Sequence, residues 1–246
     1  MSDLFISPER KISRIKNTGI QYIPGHTEPL VDLIINNYLP DDNGNILDLG
    51  GGGLRFAIPV ASLHKKITVV DMDVSSVDID LVFSRMKKNG LSDYNDISIL
   101  EKKILIIVDD IFHFLSKTHK NYSLITALRL IHFFNEEETD HFFMLISKRL
   151  KKNGKLIISA FSKYNDDNLT NNEIFTYSKP FNRNIYYRKF NKNITTKKIQ
   201  KEQNLGPLVH LFSDNYIKKY SMKYDLKLLK TNLPSTRIVR GYIFTK

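Results

Sequence analysis

Asn45-Ile46-Leu47-Asp48-Leu49-Gly50-Gly51-Gly52-Gly53-Leu54 decides the fold. A short apolar strand runs into an acid and then four glycines, and Phe56-Ala57-Ile58-Pro59-Val60-Ala61 behind them can open a helix. A strand, a tight turn and a helix N-terminus in that order make the floor of a nucleotide pocket. Glycine lets backbone come close to a ligand because no Cβ intervenes and positive φ is cheap. The helix N-terminus that follows offers unpaired N–H groups to an anion. Eighteen residues beyond Gly53, the apolar run Ile67-Thr68-Val69-Val70 ends in Asp71, an acid placed to accept from two ribose hydroxyls.

On either side of this turn the pattern alternates. Leu30, Leu33, Ile34 and Tyr38 have helical spacing, so residues 1–40 read as a mostly helical lead-in that can act as a lid, broken by Pro40 and Asp41-Asp42-Asn43-Gly44. Strand one covers 45–49, a helix about 54–63, and strand two 67–71. Val77, Leu81, Val82 and Met86 predict a helix capped near Asn89-Gly90, whereas 91–103 is ambiguous. Ile104-Leu105-Ile106-Ile107-Val108 is a strand ending at Asp109-Asp110, followed by a short helix over 111–117 and a strand over 122–128. Asn135 with Glu136, Glu137 and Glu138 starts a helix that runs to Leu150 and ends in Lys151-Lys152-Asn153-Gly154. A strand follows over 155–160.

Alternation of this kind means an α/β chain with a doubly wound, mostly parallel sheet and helices on both faces. Residues of about 162–206 break the pattern. Phe175, Tyr177, Phe181, Tyr186, Tyr187 and Phe190 are too many aromatics for a solvated tether, so the segment reads as a cap-like insertion. A short helix over 213–220 and strands over 225–229 and 238–244 then close the chain as a C-terminal antiparallel hairpin.

Bulk composition limits the alternatives. With 246 residues, 41% of them hydrophobic, the chain can build one large α/β domain but not two of equal size. It has no cysteine, which excludes disulfides, cysteine-held zinc and thiolate nucleophiles; no metal site is assigned. No apolar run near the N-terminus has signal-peptide length and none reaches a membrane span, so the expectation is a cytoplasmic protein with no membrane partner. Net charge is +11, unevenly placed: residues 1–150 carry 17 Lys+Arg against 20 Asp+Glu, a balance of −3, and residues 151–246 carry 20 against 6, a balance of +14. A basic C-terminal third can hold a phosphate-bearing partner such as RNA. Abundant Lys, Asn and Ile also fit an AT-rich coding bias, so charge alone assigns no partner.

Asp48-Leu49-Gly50-Gly51-Gly52 resembles the Asp-x-Gly-x-Gly signature of the class I S-adenosylmethionine-dependent methyltransferases. The acids closing strands two and three, and the run Leu150-Lys151-Lys152-Asn153-Gly154-Lys155-Leu156-Ile157-Ile158, are similar to that family in order and spacing. The resemblance covers about residues 30–160 and implies a methyltransferase domain over 41–246 with S-adenosylmethionine as cofactor. It implies that Gly50, Gly51 and Gly52 pass close to the methionine part of the cofactor, and that Asp48 binds its ammonium or braces the loop. Asp71, with Met72 beside it, would take the ribose, Asp110 and Ile111 the adenine, and Ala127 and Leu128 would line the floor beneath the sulfonium. Two positions depart from the family pattern: Leu54 stands where a third glycine is common, and Ser123 where an acid often precedes strand four.

A dinucleotide site needs Gly-x-Gly-x-x-Gly. Counted from Gly50 the sixth position is Arg55, and from Gly51 it is Phe56, so neither register supplies the third glycine. For the acceptor, absence of cysteine excludes base C5-methylation, and the Asn/Asp-Pro-Pro-Tyr/Phe run of exocyclic-amine nucleic-acid methylases is missing. Both absences favour a small-molecule oxygen or nitrogen acceptor, with RNA or protein as the alternative. His132, just after strand four, is the candidate catalytic base; Tyr22, His26 and His210 are weaker candidates.

Overall fold

Ile46-Leu47-Asp48-Leu49 and Tyr122-Ser123-Leu124-Ile125-Thr126-Ala127-Leu128 lack the polar alternation of a half-solvated strand, so both need cover on two faces. They form the centre of the sheet. The structure is a computed structural model that describes residues 29–41, 44–73, 77, 78, 80, 97–161, 174–178, 205–210, 212, 214–236 and 239–246. In chain order the elements are α1 (Pro29–Asn37), β1 (Ile46–Leu49), α2 (Ala57–Ser62), β2 (Ile67–Asp71), α3 (Ile97–Lys103), β3 (Ile104–Val108), α4 (Ile111–Lys117) and β4 (Tyr122–Leu128). A one-turn 3-10 helix (Ile131–Phe133) leads to α5 (Glu136–Arg149), β5 (Leu150–Phe161), β6 (Ile174–Ser178), β7 (Leu205–His210), α6 (Asp214–Lys223), β8 (Lys227–Thr236) and β9 (Val239–Thr245).

Seven strands form one sheet in the order β3-β2-β1-β4-β5-β9-β8. β1 to β5 run parallel, and β9 joins β5 antiparallel with β8 on its outer edge. The strand order reverses beside β1, between β2 and β4, so a crevice opens there at the carboxyl ends of the strands. One face of the sheet packs Leu47, Leu49, Ile125 and Ala127 against Phe112 and Leu115 of α4, Phe142 and Phe143 of α5, and Tyr216 and Tyr220 of α6. The other face packs Ile46, Val69, Leu124 and Ile157 against α1, α2 and Leu100 of α3. The fold class read from the sequence is the one observed.

Several boundaries differ for local reasons. Residues 29–37 of the expected lid are a core helix: Leu30, Val31 and Ile34 are buried, and Leu30 closes on the backbone of Gly241 in β9. Residues 1–28 of the lead-in, with Tyr22 and His26, lie outside the described residues, as do most of the helix predicted over 77–86 and most of the insertion. β6, inside the insertion, pairs with β7 at its end as a separate two-stranded antiparallel sheet. The ambiguous stretch before β3 contains α3. α5 stops at Arg149 and β5 begins at once, because Leu150 already pairs with Tyr122; the ladder resumes at Leu124–Lys155 after an irregularity that takes Asn153 to φ +63°. The left-handed residue is thus Asn153, not Gly154. α5 is held at its start by a capping box, with Asn135 accepting from the Glu138 amide and Glu138 accepting from the Asn135 amide.

Candidate active site

Chain reversal after β1 makes the site. Gly50 (φ +67°) and Gly52 (φ +46°) both occupy the left-handed region, and the Gly50 amide donates to Val70 O at 2.7 Å, tying the turn to the end of β2. Gly51 is required by space: a Cβ there would stand 2.4 Å from Val69 Cγ1 and 3.0 Å from Asp48 Oδ2. At Gly52 a Cβ would meet nothing nearer than Gly50 O at 3.9 Å, so this glycine borders open space. Leu54 continues the same turn at φ +57° while fully buried. The position that the sequence marks as lacking a third glycine keeps a glycine-like backbone. For this reason the helix starts at Ala57 instead of Leu54, and its N-terminus is set back from the turn.

Asp71 clasps the turn from the neighbouring strand. Its Oδ2 accepts from the Gly52 amide and its Oδ1 from the Asp73 amide, both at 2.9 Å. Burial pushes its carboxyl up, while these two amides pull it back toward the charged form. Each carboxylate oxygen accepts more than one hydrogen bond, so the clasp leaves acceptor capacity for a diol. Asp48 lies beneath the turn, 3% exposed, and accepts from the Thr126 hydroxyl at 2.7 Å. Burial raises it to about 7, against the lowering effect of Thr126; the charge of Asp71 adds to the rise.

Asp110 caps α4: its Oδ1 accepts from the amides of Phe112 at 2.8 Å and His113 at 3.2 Å. Ile111 is buried among Leu49, Val70 and Leu115. Asp109, the other acid at this strand end, contacts His113 Nδ1 at 2.8 Å. Met72 follows Asp71 directly and is half-buried. Ala127 is buried and Leu128 half-buried, both as the last residues of β4. Beyond them Arg129 bends the chain at φ +54°, and Leu130 lies over the glycine turn, its Cδ1 2.8 Å from where a Gly50 Cβ would be. His132 sits in the 3-10 turn, 2% exposed, with its ring 4.2 Å from that of Phe133. The backbone of His210 ends β7 and pairs with Ile174.

The structure therefore gathers Asp48, Gly50, Gly51, Gly52 and Asp71 around one turn. It places Asp110 and Ile111 at the start of α4 and His132 beyond β4. Sequence reading missed Thr126, for which a hydroxyl in the middle of an apolar strand was the available signal. Part of the basic C-terminal third is matched by acids: Lys219 meets Glu136 at 3.4 Å and Lys223 meets Asp140 at 2.7 Å, joining α6 to α5. Among the described residues, no group of His, Asp and Glu is placed to hold a metal, and no helix is long and apolar enough to cross a membrane.

Sheet order and turn geometry define a Rossmann-like fold of the class I methyltransferase type. Solved structures share it: a glycopeptide N-methyltransferase, MtfA, in complex with S-adenosyl-L-methionine superposes with a TM-score of 0.57 at 10% identity, over 94% of this chain and 99% of that one. Magnesium protoporphyrin IX methyltransferase from Synechocystis PCC 6803 with bound SAH gives 0.56 at 14% identity, over 88% and 80% of the two chains. A S-adenosylmethionine-dependent methyltransferase from Clostridium acetobutylicum ATCC 824 gives 0.54 at 15% identity, over 88% and 89%. No curated protein matches the chain. The family model for the spermine/spermidine synthase domain matches residues 23–199, and the chain belongs to that family.

Proposed function

We propose that this chain binds S-adenosylmethionine and transfers its methyl group to an oxygen or nitrogen of a small molecule. The observation that carries the reading is the glycine turn clasped by Asp71, with Gly52 facing open space and the Asp48 carboxyl beneath. In this reading the donor's ribose lies on Asp71 beside Met72, its cationic methionine end nears Asp48, and Ala127 and Leu128 floor the sulfonium. Asp110 and Ile111 are assigned to the adenine end. The acceptor's lone pair forms a bond to the methyl carbon, the carbon–sulfur bond breaks toward sulfur, and the acceptor's proton passes to His132. A sulfonium is already activated, so alignment and exclusion of water supply most of the rate.

A second reading has one observation in its favour, the match to the spermine/spermidine synthase domain. It is aminopropyl transfer, in which the donor lacks the methionine carboxylate and the acceptor attacks the propyl carbon at the same sulfur. Melting curves with S-adenosylhomocysteine, decarboxylated S-adenosylmethionine and NADH separate the classes. A ligand at 100 times its Kd adds about 2.7 kcal/mol. Stabilisation by S-adenosylhomocysteine and none by NADH is expected. A larger effect of the decarboxylated donor than of S-adenosylmethionine favours aminopropyl transfer, and no effect of any adenosyl compound ends both readings.

A further inference from the structure

We propose that the outer edge of β3 docks a second copy of this chain, the two β3 strands pairing antiparallel about a two-fold axis through Ile106.

β3 is an edge of the seven-stranded sheet, and among the described residues β2 is its only strand partner. The Asp109 amide donates to Asp71 O at the end of that pair. Backbone groups alternate in direction along a strand, so the N–H and C=O groups of Ile104, Ile106 and Val108 point away from β2. The strand Ile104-Leu105-Ile106-Ile107-Val108 holds no charge and no proline, and its register against β2 is unbroken. Leu105 and Val108 are each 53% exposed. The opposite edge of the same sheet, β8, is protected: it carries exposed Lys227 and Lys230, Pro234, and three register shifts against β9. β3 has none of these devices. An open apolar edge of this kind is a template for pairing with another strand.

Charge chooses the occupant. The run Lys102-Lys103-Ile104-Leu105-Ile106-Ile107-Val108-Asp109-Asp110 places cations before the apolar segment and anions after it. Such an edge is complementary to its own reverse, as an isologous contact requires. With Ile106 opposite Ile106 of the second copy, Ile104 meets Val108, Leu105 meets Ile107, and Lys103 meets Asp109 at both ends. The outward groups of Ile104, Ile106 and Val108 then exchange hydrogen bonds across the seam. Both exposed residues gain an apolar cross-strand neighbour. A two-fold through Leu105 would set Lys103 against Ile107, and one through Ile107 would set Asp109 against Leu105. Either shift puts a charge against an apolar residue and separates the ion pairs. Asp109 also contacts His113 and accepts from the Asp110 amide. Its two carboxylate oxygens retain acceptor capacity for a lysine.

The chain has no cysteine, so single cysteines report the register by cross-linking. In the proposed dimer the two Ile106 Cα atoms stand about 5.5 Å apart, within disulfide reach. The two Val108 positions are out of step along the strands and cannot meet. Under mild oxidation I106C should give a covalent dimer and V108C should not, although Val108 is exposed and Ile106 half-buried. Sedimentation velocity of the wild-type chain should show a concentration-dependent species of twice 28.6 kDa. V108K should keep its melting temperature and be monomeric, because a lysine on an edge opposes pairing. K103E should weaken the dimer about tenfold, and adding D109K to it should restore the affinity. Hydrogen exchange needs no variant: the amides of Ile104, Ile106 and Val108 should slow as concentration rises, while those of Leu105 and Ile107, bonded to β2, stay slow throughout. A chain that is monomeric at millimolar concentration overturns the proposal. So does protection of the outward amides at every concentration, which would mean that the edge is covered from within the chain. A dimer that both V108K and K103E leave intact, or equal cross-linking of I106C and V108C, places the contact elsewhere and overturns it as well.

Discussion

Thr126 and Asp48 are register partners on β4 and β1, and the Thr126 hydroxyl donates to Asp48 Oδ1 at 2.7 Å inside the sheet. It is a hydrogen bond to a carboxyl that burial has pushed up to about 7 from 3.8. Between those two values the folded chain keeps a proton that the unfolded chain has lost. Stability from this group is therefore fully present below the unfolded value and is lost as pH rises through the folded one. The slope is at most about 1.4 kcal/mol per pH unit. Denaturant unfolding at pH 5 and pH 8 should show wild type losing stability at the higher pH. D48N should gain on wild type much more at pH 8 than at pH 5. T126V removes the bond that favours the charged form, so its loss should extend to higher pH. An identical pH profile for wild type and D48N refutes the argument.

The adjacent glycines Gly51 and Gly52 should respond in opposite ways to alanine. In G51A the new methyl meets Val69 Cγ1 at 2.4 Å and Asp48 Oδ2 at 3.0 Å, and both neighbours belong to the buried sheet. Overpacking of this kind costs about 1–3 kcal/mol, so the melting temperature should fall. In G52A the methyl meets nothing nearer than 3.9 Å, and only the backbone at φ +46° is strained. That strain costs about 1 kcal/mol. G52A should thus be the more stable of the two, yet bind S-adenosylhomocysteine more weakly, because its methyl enters the space assigned to the donor. Thermal melts with calorimetric titration of both variants decide; full affinity in a folded G52A removes Gly52 from the donor site.

How far the residues alone reveal this arrangement depends on the range of the interaction. β2, β3, α4 and β4 were legible because apolar runs bounded by acids and glycines are local patterns, and their alternation with helices implies a mostly parallel sheet covered on both faces. The start of β5 was not legible, since Leu150 pairs with Tyr122, far away in sequence. α1 was read as a possible lid because its apolar spacing states that it buries one face but not against what; the partners are β8 and β9, at the far end of the chain. In the site, the glycines and Asp71 announce themselves by type and position. Thr126 does not, because its role exists only once β4 lies beside β1. Leu54 shows the same limit from another direction: its residue type argues against the backbone that it adopts.

That mismatch makes Leu54 informative. A left-handed leucine costs about 1–2 kcal/mol, and removing a buried leucine costs about 2–5 kcal/mol, so burial outweighs strain and the wild-type residue is preferred. L54A loses the packing and keeps the strain, whereas L54G loses the packing and sheds the strain. L54G should therefore be at least as stable as L54A, a reversal of the order in which alanine ordinarily exceeds glycine. Chemical unfolding of both variants tests it. L54A exceeding L54G by about 1 kcal/mol, the usual margin, would mean that the turn relaxes to negative φ on truncation.

Asp110 separates a helix cap from a ligand contact. Its Oδ1 accepts from Phe112 and His113 at the first turn of α4, a role that asparagine fills about as well as aspartate and alanine does not. D110A should lose about 1 kcal/mol of stability, and D110N should stay within about 0.5 kcal/mol of wild type. If the other side-chain oxygen accepts from the exocyclic amine of adenine, as the donor assignment has it, D110N behaves differently toward ligand. Its carbonyl stays on the helix amides, and its NH2 group then faces another donor. S-adenosylhomocysteine affinity should then fall about tenfold in a variant whose stability is intact, the size expected when an acceptor is replaced by a donor at one hydrogen bond. Wild-type affinity in a stable D110N would confine Asp110 to the cap and leave the adenine to other groups at the end of β3.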